Sequence, residues 1–551
     1  MSGSSPGRFH LVDEEWITVR YLDGSSRDIS IHTAFHDAAA IREIEGEVPT
    51  QSFAILRLLL AILSRAIETD PARASAVEWS DLWADGLPLP SVDTYLDTWR
   101  DRFWLLHPER PFFQVADLAT AKGEFRDTSV LILDLPSNNR LFTTRSGSDS
   151  LALEFGEAAR WLVNTQAFDP SGIKSGDPRD PRVKGGKGYP IGVAWSGHLG
   201  GVMLEGGSLA QTLLLNLVLP SEAYEAGIES NPATDIPVWE RPDPDTPLDR
   251  ELRPTGPVAL QTWQSRRIRL VADGDRVTAC LVCNGDALTP QNQHRHETMT
   301  AWRFSEPQTK KAGFPTYMAR EHLPEHSFWR GIGALLPQRP KIDKAGRDVS
   351  RPPAVLSAVT NRREDGAIAP SDRIRLRAVG VVYGSQSSVV SDVIDDRLNM
   401  TVALFDGQRA DLAACAENAV HLAEDGVRAL RQLAQNLALA GGGDGAGASA
   451  AAEAEAYDAL DRHYRTWLAT LDESTDAVTA MSEWRGRADD VLRRLGRSLV
   501  ASASTAAWSG REVRTRTGSM YLTTPLAESW FLGALRKTLG DGELTTEETP
   551  A

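Results

Sequence analysis

The sequence predicts an α+β fold, with a large mixed α/β domain over residues 1–385 and a C-terminal four-helix bundle over 386–541. Two observations support this division. Short β-type patterns alternate with helical ones up to about residue 385, whereas no proline occurs between Pro370 and Pro525. A chain of 551 residues also exceeds what one hydrophobic core usually serves. The last ten residues, 542–551, are predicted to be an acidic tail.

The first elements are a hairpin and a buried helix. Apolar alternation over 16–21 and 29–31 surrounds the turn signal Asp23-Gly24, which predicts two antiparallel strands. Apolar residues then recur at helical spacing over 50–69. Further helices are predicted over 92–105, 151–163 and 208–218, and further strands over 268–271, 277–281 and 373–382. The turn signal Asp273-Gly274 between the first two of these strands predicts a second hairpin.

The C-terminal part is rich in Ala, Leu, Arg and Glu, which favours long helices. The predicted helical stretches are 388–440, 450–472, 476–504 and 524–539. Glycine-rich residues 441–449 are predicted to form a flexible connector between the first two. Four such stretches indicate an antiparallel bundle.

Composition limits the class of protein. We expect a cytoplasmic location, because three cysteines fit a reducing compartment and no apolar core of a signal peptide is present near the N-terminus. No uninterrupted apolar run reaches the length of a membrane span. The formal net charge of −16 opposes nucleic-acid binding over the whole surface but permits a local site. Basic residues cluster in the middle third, which predicts an extended basic surface: Arg266, Arg267, Arg269, Lys310, Lys311, Lys341, Lys344, Arg347, Arg351, Arg373, Arg375 and Arg377.

Residues 169–188 differ from the rest of the chain. Five of these twenty residues are glycine, three are proline and five are Lys or Arg. Glycine lets a backbone approach a ligand closely, and the basic side chains suit phosphate. The prolines disfavour a regular helix or a central strand. Alone, the segment indicates either a flexible surface loop or a local phosphate contact.

Familiar catalytic patterns are missing from the sequence. It has no Gly-x-Ser-x-Gly nucleophile elbow between a predicted strand and a predicted helix, no phosphate-binding loop ending in Gly-Lys-Ser/Thr, no His-Glu-x-x-His and no dinucleotide-binding glycine fingerprint. Asp395 and Asp396 are adjacent in a predicted helix, where neighbours point about 100° apart and make a poor catalytic pair. This pattern favours a binding protein over an enzyme.

One group has the composition of a metal site. Cys280 and Cys283 form half of a zinc knuckle, and His294 and His296 follow downstream. The alternative is two buried or unused thiols, because a second Cys-x-x-Cys is missing. We therefore expect no cofactor, with a structural zinc as the weaker alternative.

Several segments in order resemble the CasA family, the large subunit of the type I-E CRISPR Cascade complex. Leu11-Val-Asp-Glu-Glu-Trp-Ile-Thr-Val19 resembles the family's opening "L-I-D-x-x-W-I-P-V", and His107-Pro-Glu-Arg-Pro-Phe-Phe-Gln114 its "H-P-x-x-P-F-x-Q". Residues 172–176 resemble its glycine loop and 213–218 its "L-L-N-V-L" helix. Tyr383-Gly-Ser-Gln-Ser-Ser388 lies where the family has a glutamine-bearing hairpin.

The resemblance implies a non-catalytic subunit in antiviral defence. Such a subunit joins a crRNA-bearing ribonucleoprotein with other Cascade subunits, recognises the protospacer-adjacent motif (PAM) in double-stranded DNA, and helps to open the duplex. It also provides a docking surface for the helicase–nuclease that acts after R-loop formation. Base pairing with the guide supplies the remaining specificity.

The resemblance also implies sites. Ser171, Gly172 and Lys174 belong to the loop that enters the minor groove, whose degenerate code suits a reader of several PAMs. Gly384, Ser385 and Gln386 form the wedge that opens the first base pair. Arg295 is the candidate for a basic PAM element, with Lys310 or Lys311 as the alternative. Finally, the loop that contacts the crRNA 5′ end and a neighbouring subunit contains Asn138, Asn139 and Phe142.

Two departures from the family pattern affect these assignments. The glycine loop is followed by a longer insertion, 177–189, and the lysine of the third PAM element has no clear equivalent. Two alternative functions stay open at this point: a metal-dependent hydrolase using the Cys/His group or unrecognised carboxylates, and a purely structural scaffold.

Overall fold

A computed structural model describes residues 7–73, 78–135, 145, 151–223, 225–242, 253–336, 342, 346–515 and 518–540. The chain forms two compact units. Unit 1 comprises residues 1–324, 340–368 and 374–397, and unit 2 comprises 325–339, 369–373 and 398–551.

The strands of unit 1 are short and form several small sheets. In chain order they are β1 (Arg8–His10), β2 (Ile17–Tyr21), β3 (Ser26–Ile29), β4 (Ile41–Ile44), β5 (Trp104–Leu106), β6 (Leu153–Glu154), β7 (Lys174–Ser175), β8 (Lys187–Gly188), β9 (Gly201–Glu205), β10 (Arg266–Asp273), β11 (Arg276–Asn284), β12 (Trp302–Phe304), β13 (Tyr317–Ala319), β14 (Ser350–Arg351), β15 (Arg373–Tyr383) and β16 (Val390–Thr401). Strands β3-β2-β4, β13-β12-β14 and β16-β15-β9 form three-stranded sheets, and β10-β11-β7-β8 with β6 forms a five-stranded one. The hairpins predicted at Asp23-Gly24 and Asp273-Gly274 are confirmed.

The helices of unit 1 are α1 (Ile31–His36), α2 (Pro49–Thr69), α3 (Trp79–Asp85), α4 (Leu89–Thr98), α5 (Phe155–Phe168), α6 (Leu209–Asn216), α7 (Pro220–Ala223), α8 (Pro257–Gln261), α9 (Glu306–Ala312) and α10 (Ala354–Glu364). The prediction of one helix over 92–105 is wrong in its second half. A 3₁₀ turn at Arg100–Arg102 separates α4 from β5, which pairs with β1.

Helix α2 is the central helix of unit 1 and is buried on nearly every side. By length and composition this helix could cross a bilayer, although polar residues interrupt its apolar sequence. However, 94% of its most apolar 18-residue stretch is buried inside the protein. Its two arginines are paired: Arg57 donates to Glu297 at 2.7 Å, and Arg65 to Glu240 at 2.8 Å. Such pairing is what allows charged groups to occupy a core helix.

Unit 2 is mainly helical. Its helices are α11 (Ala410–Gly441), α12 (Gly445–Leu468), α13 (Ala477–Ala501), α14 (Thr505–Ser509) and α15 (Thr524–Leu539), and the hairpin β17 (Arg511–Thr515) and β18 (Gly518–Leu522) precedes α15. Helices α11, α12, α13 and α15 pack together, with Tyr464, Trp467 and Trp484 buried between α11, α12 and α13, so the predicted four-helix bundle and the α+β class are confirmed.

Two boundaries near the bundle differ from prediction. Residues 390–401 form β16 rather than the start of a helix, because their backbone forms hydrogen bonds with β15, and Asp395 therefore lies on a strand. The predicted connector 441–449 is mostly helical. Asp444 caps α12 by accepting from the Ala446 N–H at 3.0 Å, which leaves only three residues, 442–444, between α11 and α12.

Candidate nucleic-acid interface

The glycine loop begins where α5 ends, and buried charges fix its base. The Asp169 carboxylate accepts from Arg266 Nε at 2.5 Å and pairs with Lys174 Nζ at 2.5 Å. Arg266 also donates to the carbonyls of Asp169, Pro170 and Gly192 at 2.9–3.2 Å. Because Arg266 and Asp169 are almost fully buried, this network holds the loop's entry in one position.

Lys174 belongs to this base. Its side chain is only 16% exposed, and burial lowers the pKa of its ammonium group although Asp169 opposes the shift. The sequence assigned Lys174 to DNA contact. In the structure its charge is directed to Asp169.

Gly172 lies at the outer part of the loop. Its φ of +145° is a conformation that other residues rarely adopt, and a Cβ at this position would have no atom within 4 Å. The neighbouring Ile173 is 57% exposed. The loop therefore presents bare backbone and open space at Gly172.

The second predicted element is the tip of the β15–β16 hairpin. Gly384 donates its N–H to the Val389 carbonyl at 2.9 Å, and a Cβ there would meet Ser391 Oγ at 2.7 Å. Gln386 and Ser387 both have φ of +54°, a left-handed conformation uncommon for residues other than glycine. Gln386 is exposed, and its side chain has no hydrogen bond to any residue in the described ranges.

The two elements are joined directly. The Ser171 N–H donates to the Ser387 carbonyl at 2.8 Å, so the glycine loop and the hairpin tip share a backbone hydrogen bond. Behind it, the Tyr383 hydroxyl donates to the Phe168 carbonyl at 2.7 Å. Residues more than 200 positions apart in sequence thus form one surface, which we call the loop–tip surface: 171–174 and 384–388.

A cavity of about 250 Å³ opens beside this surface. Its walls include Gly172, Lys174 and Ser388, and exposed Arg126 stands at its edge. Asn164 also lines it, and neither atom of its fully buried amide has a hydrogen-bond partner. The cavity is therefore polar and can accept hydrogen-bonding groups from a ligand or water.

The insertion over 177–189 folds on itself. Arg179 pairs with buried Asp177 at 2.6 Å, and Arg182 with buried Asp180 at 2.8 Å. Each pair closes a turn within two residues. Lys187, on β8, is exposed, so part of the insertion's positive charge faces solvent.

The candidates for a basic PAM element lie on the surface. Arg295 is more than half exposed and donates to Glu229 at 2.7 Å. Lys310 pairs with Glu306 one helical turn away at 2.8 Å, and Lys311 is exposed on the same helix. None of these three is buried, so each charge is accessible to solvent.

The predicted extended basic surface is wrong for several of its members. Arg266, Arg267 and Arg377 are buried and pair with Asp169, Asp286 and Asp395 respectively. Strand residues at these positions face the core, where an unpaired charge is costly, so the arginines serve as internal ion pairs. Lys341 and Lys344 lie outside the described residues.

The four Cys and His residues do not converge. Cys280 and Cys283 are three apart on β11 and so point to opposite faces, and burial raises the pKa of each thiol to about 12. Burial lowers the pKa of His294 to about 4, and its ring packs against Tyr317. In the described part of the chain, no three of these side chains bring ligand atoms within 4.8 Å of one another. Asn138, Asn139 and Phe142 lie outside the described residues.

Sequence reasoning missed the residues that hold the loop–tip surface together. Asp169 and Arg266 were seen only as members of a polar loop and a basic cluster, and Tyr383 and Ser387 only as flanks of Gln386. Their partners are distant in sequence, so no local pattern marks them. The one sequence signal for an ion pair was an Arg at a strand position that the apolar alternation predicts to face the core.

Comparison with known proteins decides the family. The model of the family described as CRISPR-associated protein Cse1 matches residues 10–495. The chain belongs to the Cse1 family. It is 29% identical over 443 residues to the Thermus thermophilus CRISPR-associated protein CasA/Cse1, covering 79% of this chain and 78% of that one. The resemblance to CasA, the large subunit of type I-E Cascade, is therefore confirmed.

Solved structures agree. The crystal structure of Thermobifida fusca Cse1 is 40% identical, with a TM-score of 0.86 over 98% of this chain and 99% of that one. A chain of a structure titled CRISPR RNA-guided surveillance complex is 17% identical, with a TM-score of 0.64 over 90% of this chain and 100% of that one. This second match shows a shared fold.

Proposed function

We propose that this chain is the non-catalytic PAM-reading subunit of a crRNA-guided surveillance complex. Its loop–tip surface contacts the duplex, reads the PAM through the minor groove and starts strand separation. The observation that carries the proposal is the Ser171–Ser387 hydrogen bond, which joins a bare glycine loop to an exposed glutamine tip. A groove reader and a wedge must act on adjacent base pairs, so a fixed spacing between them favours this function.

The glycine loop suits a minor groove for steric and electrostatic reasons. Its backbone lacks a side chain where it projects, at Gly172, and open space surrounds that position. The minor groove distinguishes few base pairs by hydrogen bonding, so backbone fit supplies tolerant recognition. Exposed Arg126 at the edge of the neighbouring cavity and exposed Lys187 on the insertion supply positive charge near the loop, which favours an approaching phosphate.

The hairpin tip suits a wedge. Gln386 extends from a left-handed backbone that its two neighbouring strands hold, and its amide is available to base edges. Inserting such a group between base pairs costs unstacking energy of a few kcal/mol. R-loop formation is nearly balanced otherwise, so a small bias at the first pair controls its start.

The remaining parts of the proposal concern partners. The chain joins other Cascade subunits and contacts crRNA through Asn138, Asn139 and Phe142. After R-loop formation it provides a docking surface for the helicase–nuclease. We further propose that it acts in the cytoplasm, with Arg295 as the basic PAM element.

The test uses the reconstituted complex with duplexes that carry or lack a PAM. Gly172→Asp should weaken PAM-dependent binding at least about tenfold, because it adds a negative charge and strains the backbone. Gln386→Ala should bind but slow strand opening, followed with 2-aminopurine beside the PAM. If both variants open PAM duplexes at the wild-type rate, the site assignment is wrong.

Matched controls separate side chain from backbone. Gly518, at the start of β18, has φ of +148° and no atom within 4 Å of an added Cβ, so Gly518→Asp applies a closely matched strain and the same charge outside the loop–tip surface and should bind normally. Gln386→Gly removes the amide but suits the left-handed backbone. If Gln386→Gly opens DNA normally and Gln386→Ala does not, backbone strain explains the effect and the wedge role is wrong. Equal binding with and without a PAM would favour the scaffold alternative. DNA cleavage by the chain in the presence of added divalent ions would favour the hydrolase alternative.

A further inference from the structure

A second polar cluster of unit 1 lies outside the loop–tip surface and involves two histidines. His32 and His36 stand four residues apart on α1, and Asp93 faces them from α4. The Asp93 carboxylate is 2.9 Å from His36 Nε2 and 3.7 Å from His32 Nε2. The three ligand atoms all lie within 4.8 Å of one another, and no other trio of His, Cys, Asp or Glu in the described ranges does so.

We propose that His32, His36 and Asp93 bind one divalent first-row transition-metal ion, with zinc as the expected occupant. Imidazole nitrogen and carboxylate oxygen are the ligands that zinc accepts, and two histidines at i and i+4 present both rings on one helical face. Three protein ligands leave a further position for water.

The distances fit coordination. In a tetrahedral site with bonds of about 2.0–2.1 Å, ligand atoms stand about 3.3 Å apart, and the two observed separations of 2.9 and 3.7 Å lie on either side of this value. All three side chains are between one-third and one-half exposed, so they can adjust without moving the core.

A single hydrogen bond between His36 and Asp93 does not account for the position of His32. A single His36–Asp93 contact would leave His32 free to turn to solvent, yet its ring stacks on His36 at 4.1 Å and directs Nε2 to the same carboxylate. An imidazole nitrogen that carries no proton offers a lone pair to a metal ion, so the two rings can supply two ligands beside an anion. A bound ion would link α1 to α4.

The test uses the full chain with any affinity tag removed and metal stripped by a chelator. Zinc titration by calorimetry should show one saturable site, and cobalt should give d–d absorption. His32→Ala, His36→Ala and Asp93→Asn should each weaken zinc binding at least about tenfold. Zinc should raise the thermal unfolding temperature of the wild type and not of His36→Ala.

The control is His463→Ala, which removes an exposed histidine on α12 and should bind zinc as the wild type does. Three results would overturn the proposal. They are no saturable zinc binding up to millimolar concentration, unchanged binding in all three variants, and a cobalt–thiolate charge-transfer band that Cys283→Ser abolishes, which would locate the ion at the cysteines instead.

Discussion

The base of the glycine loop and the tip of the β15–β16 hairpin touch through one hydrogen bond but are built in opposite ways. At the base, Asp169 and Arg266 are buried and make several short polar contacts. At the tip, Ser385 and Gln386 are exposed and the backbone adopts a left-handed conformation. The base has many partners, whereas the tip has few.

This difference shows how one surface can have a stable, buried base and an exposed tip that is available to a ligand. Breaking a buried ion pair leaves a charge without a partner, so substitutions at the base should destabilise unit 1. Substitutions at the exposed tip remove few contacts, so they should change DNA opening without changing stability. The following predictions test this separation, beginning with the largest effect.

Arg266→Met should cause the largest loss in the free energy of unfolding. It leaves Asp169 with Lys174 as its remaining cation and removes donors from four carbonyls, so we expect a loss of about 3–5 kcal/mol in the free energy of unfolding. Urea unfolding of the isolated chain measures it. The control is Arg276→Met, whose exposed pair with Glu154 is worth at most about 1 kcal/mol. Equal losses in both variants would contradict a buried base.

Lys174→Met tests whether this lysine holds the loop or contacts DNA. Because its ammonium group pairs with Asp169, we expect a stability loss of about 1–3 kcal/mol and an unchanged salt dependence of DNA binding. The measurement compares binding by the complex between low and high salt. A fall of about one in the slope of log K against log salt would show that Lys174 contacts a phosphate.

Acid should destabilise the region around Arg266 through His198, the last residue of the 3₁₀ turn Trp195–His198. Burial, and then the charge of Arg266, lower the pKa of His198 to about 4. The unfolded chain binds this proton below about pH 6.5 and the folded protein only near pH 4, so stability falls as the pH decreases through this window. Between pH 7 and pH 5 the loss is as much as about 2 kcal/mol. His198→Asn should lose less over the same interval, and an identical pH profile would contradict the assignment.

The smallest stability effect is expected at Arg295. Its pair with Glu229 is exposed, so Arg295→Gln and Glu229→Gln should each change the free energy of unfolding by less than about 1 kcal/mol. If Arg295 is the basic PAM element, Arg295→Gln weakens PAM-dependent binding, whereas Glu229→Gln, which frees the guanidinium, does not. Equal DNA binding by the wild type and Arg295→Gln would direct the search to Lys310 and Lys311.

Local patterns predicted much of the fold. Turn residues at Asp23-Gly24 and Asp273-Gly274 located two hairpins, apolar spacing located α2, and composition located most of the bundle. The prediction was wrong where a local helical preference competed with strand pairing. At 390–401 the chain pairs with β15 and forms a strand instead of a helix. The prediction was also wrong where a single cap, Asp444, extended α12 into a glycine-rich segment.

The candidate site divides in the same way. The sequence alone indicated Gly172 and Gln386, because glycine content and ordered motifs are local properties, and it indicated the Cse1 family. Only the tertiary structure showed that the Ser171 N–H donates to the Ser387 carbonyl and that Lys174 and Arg266 both pair with Asp169. Only the structure showed, too, that Arg377 forms an internal ion pair with Asp395. These partners come from separate strands and loops, and whether a charge faces water or a buried carboxylate depends on how those elements pack. Periodicity specifies which face of an element is apolar, but packing decides what that face meets.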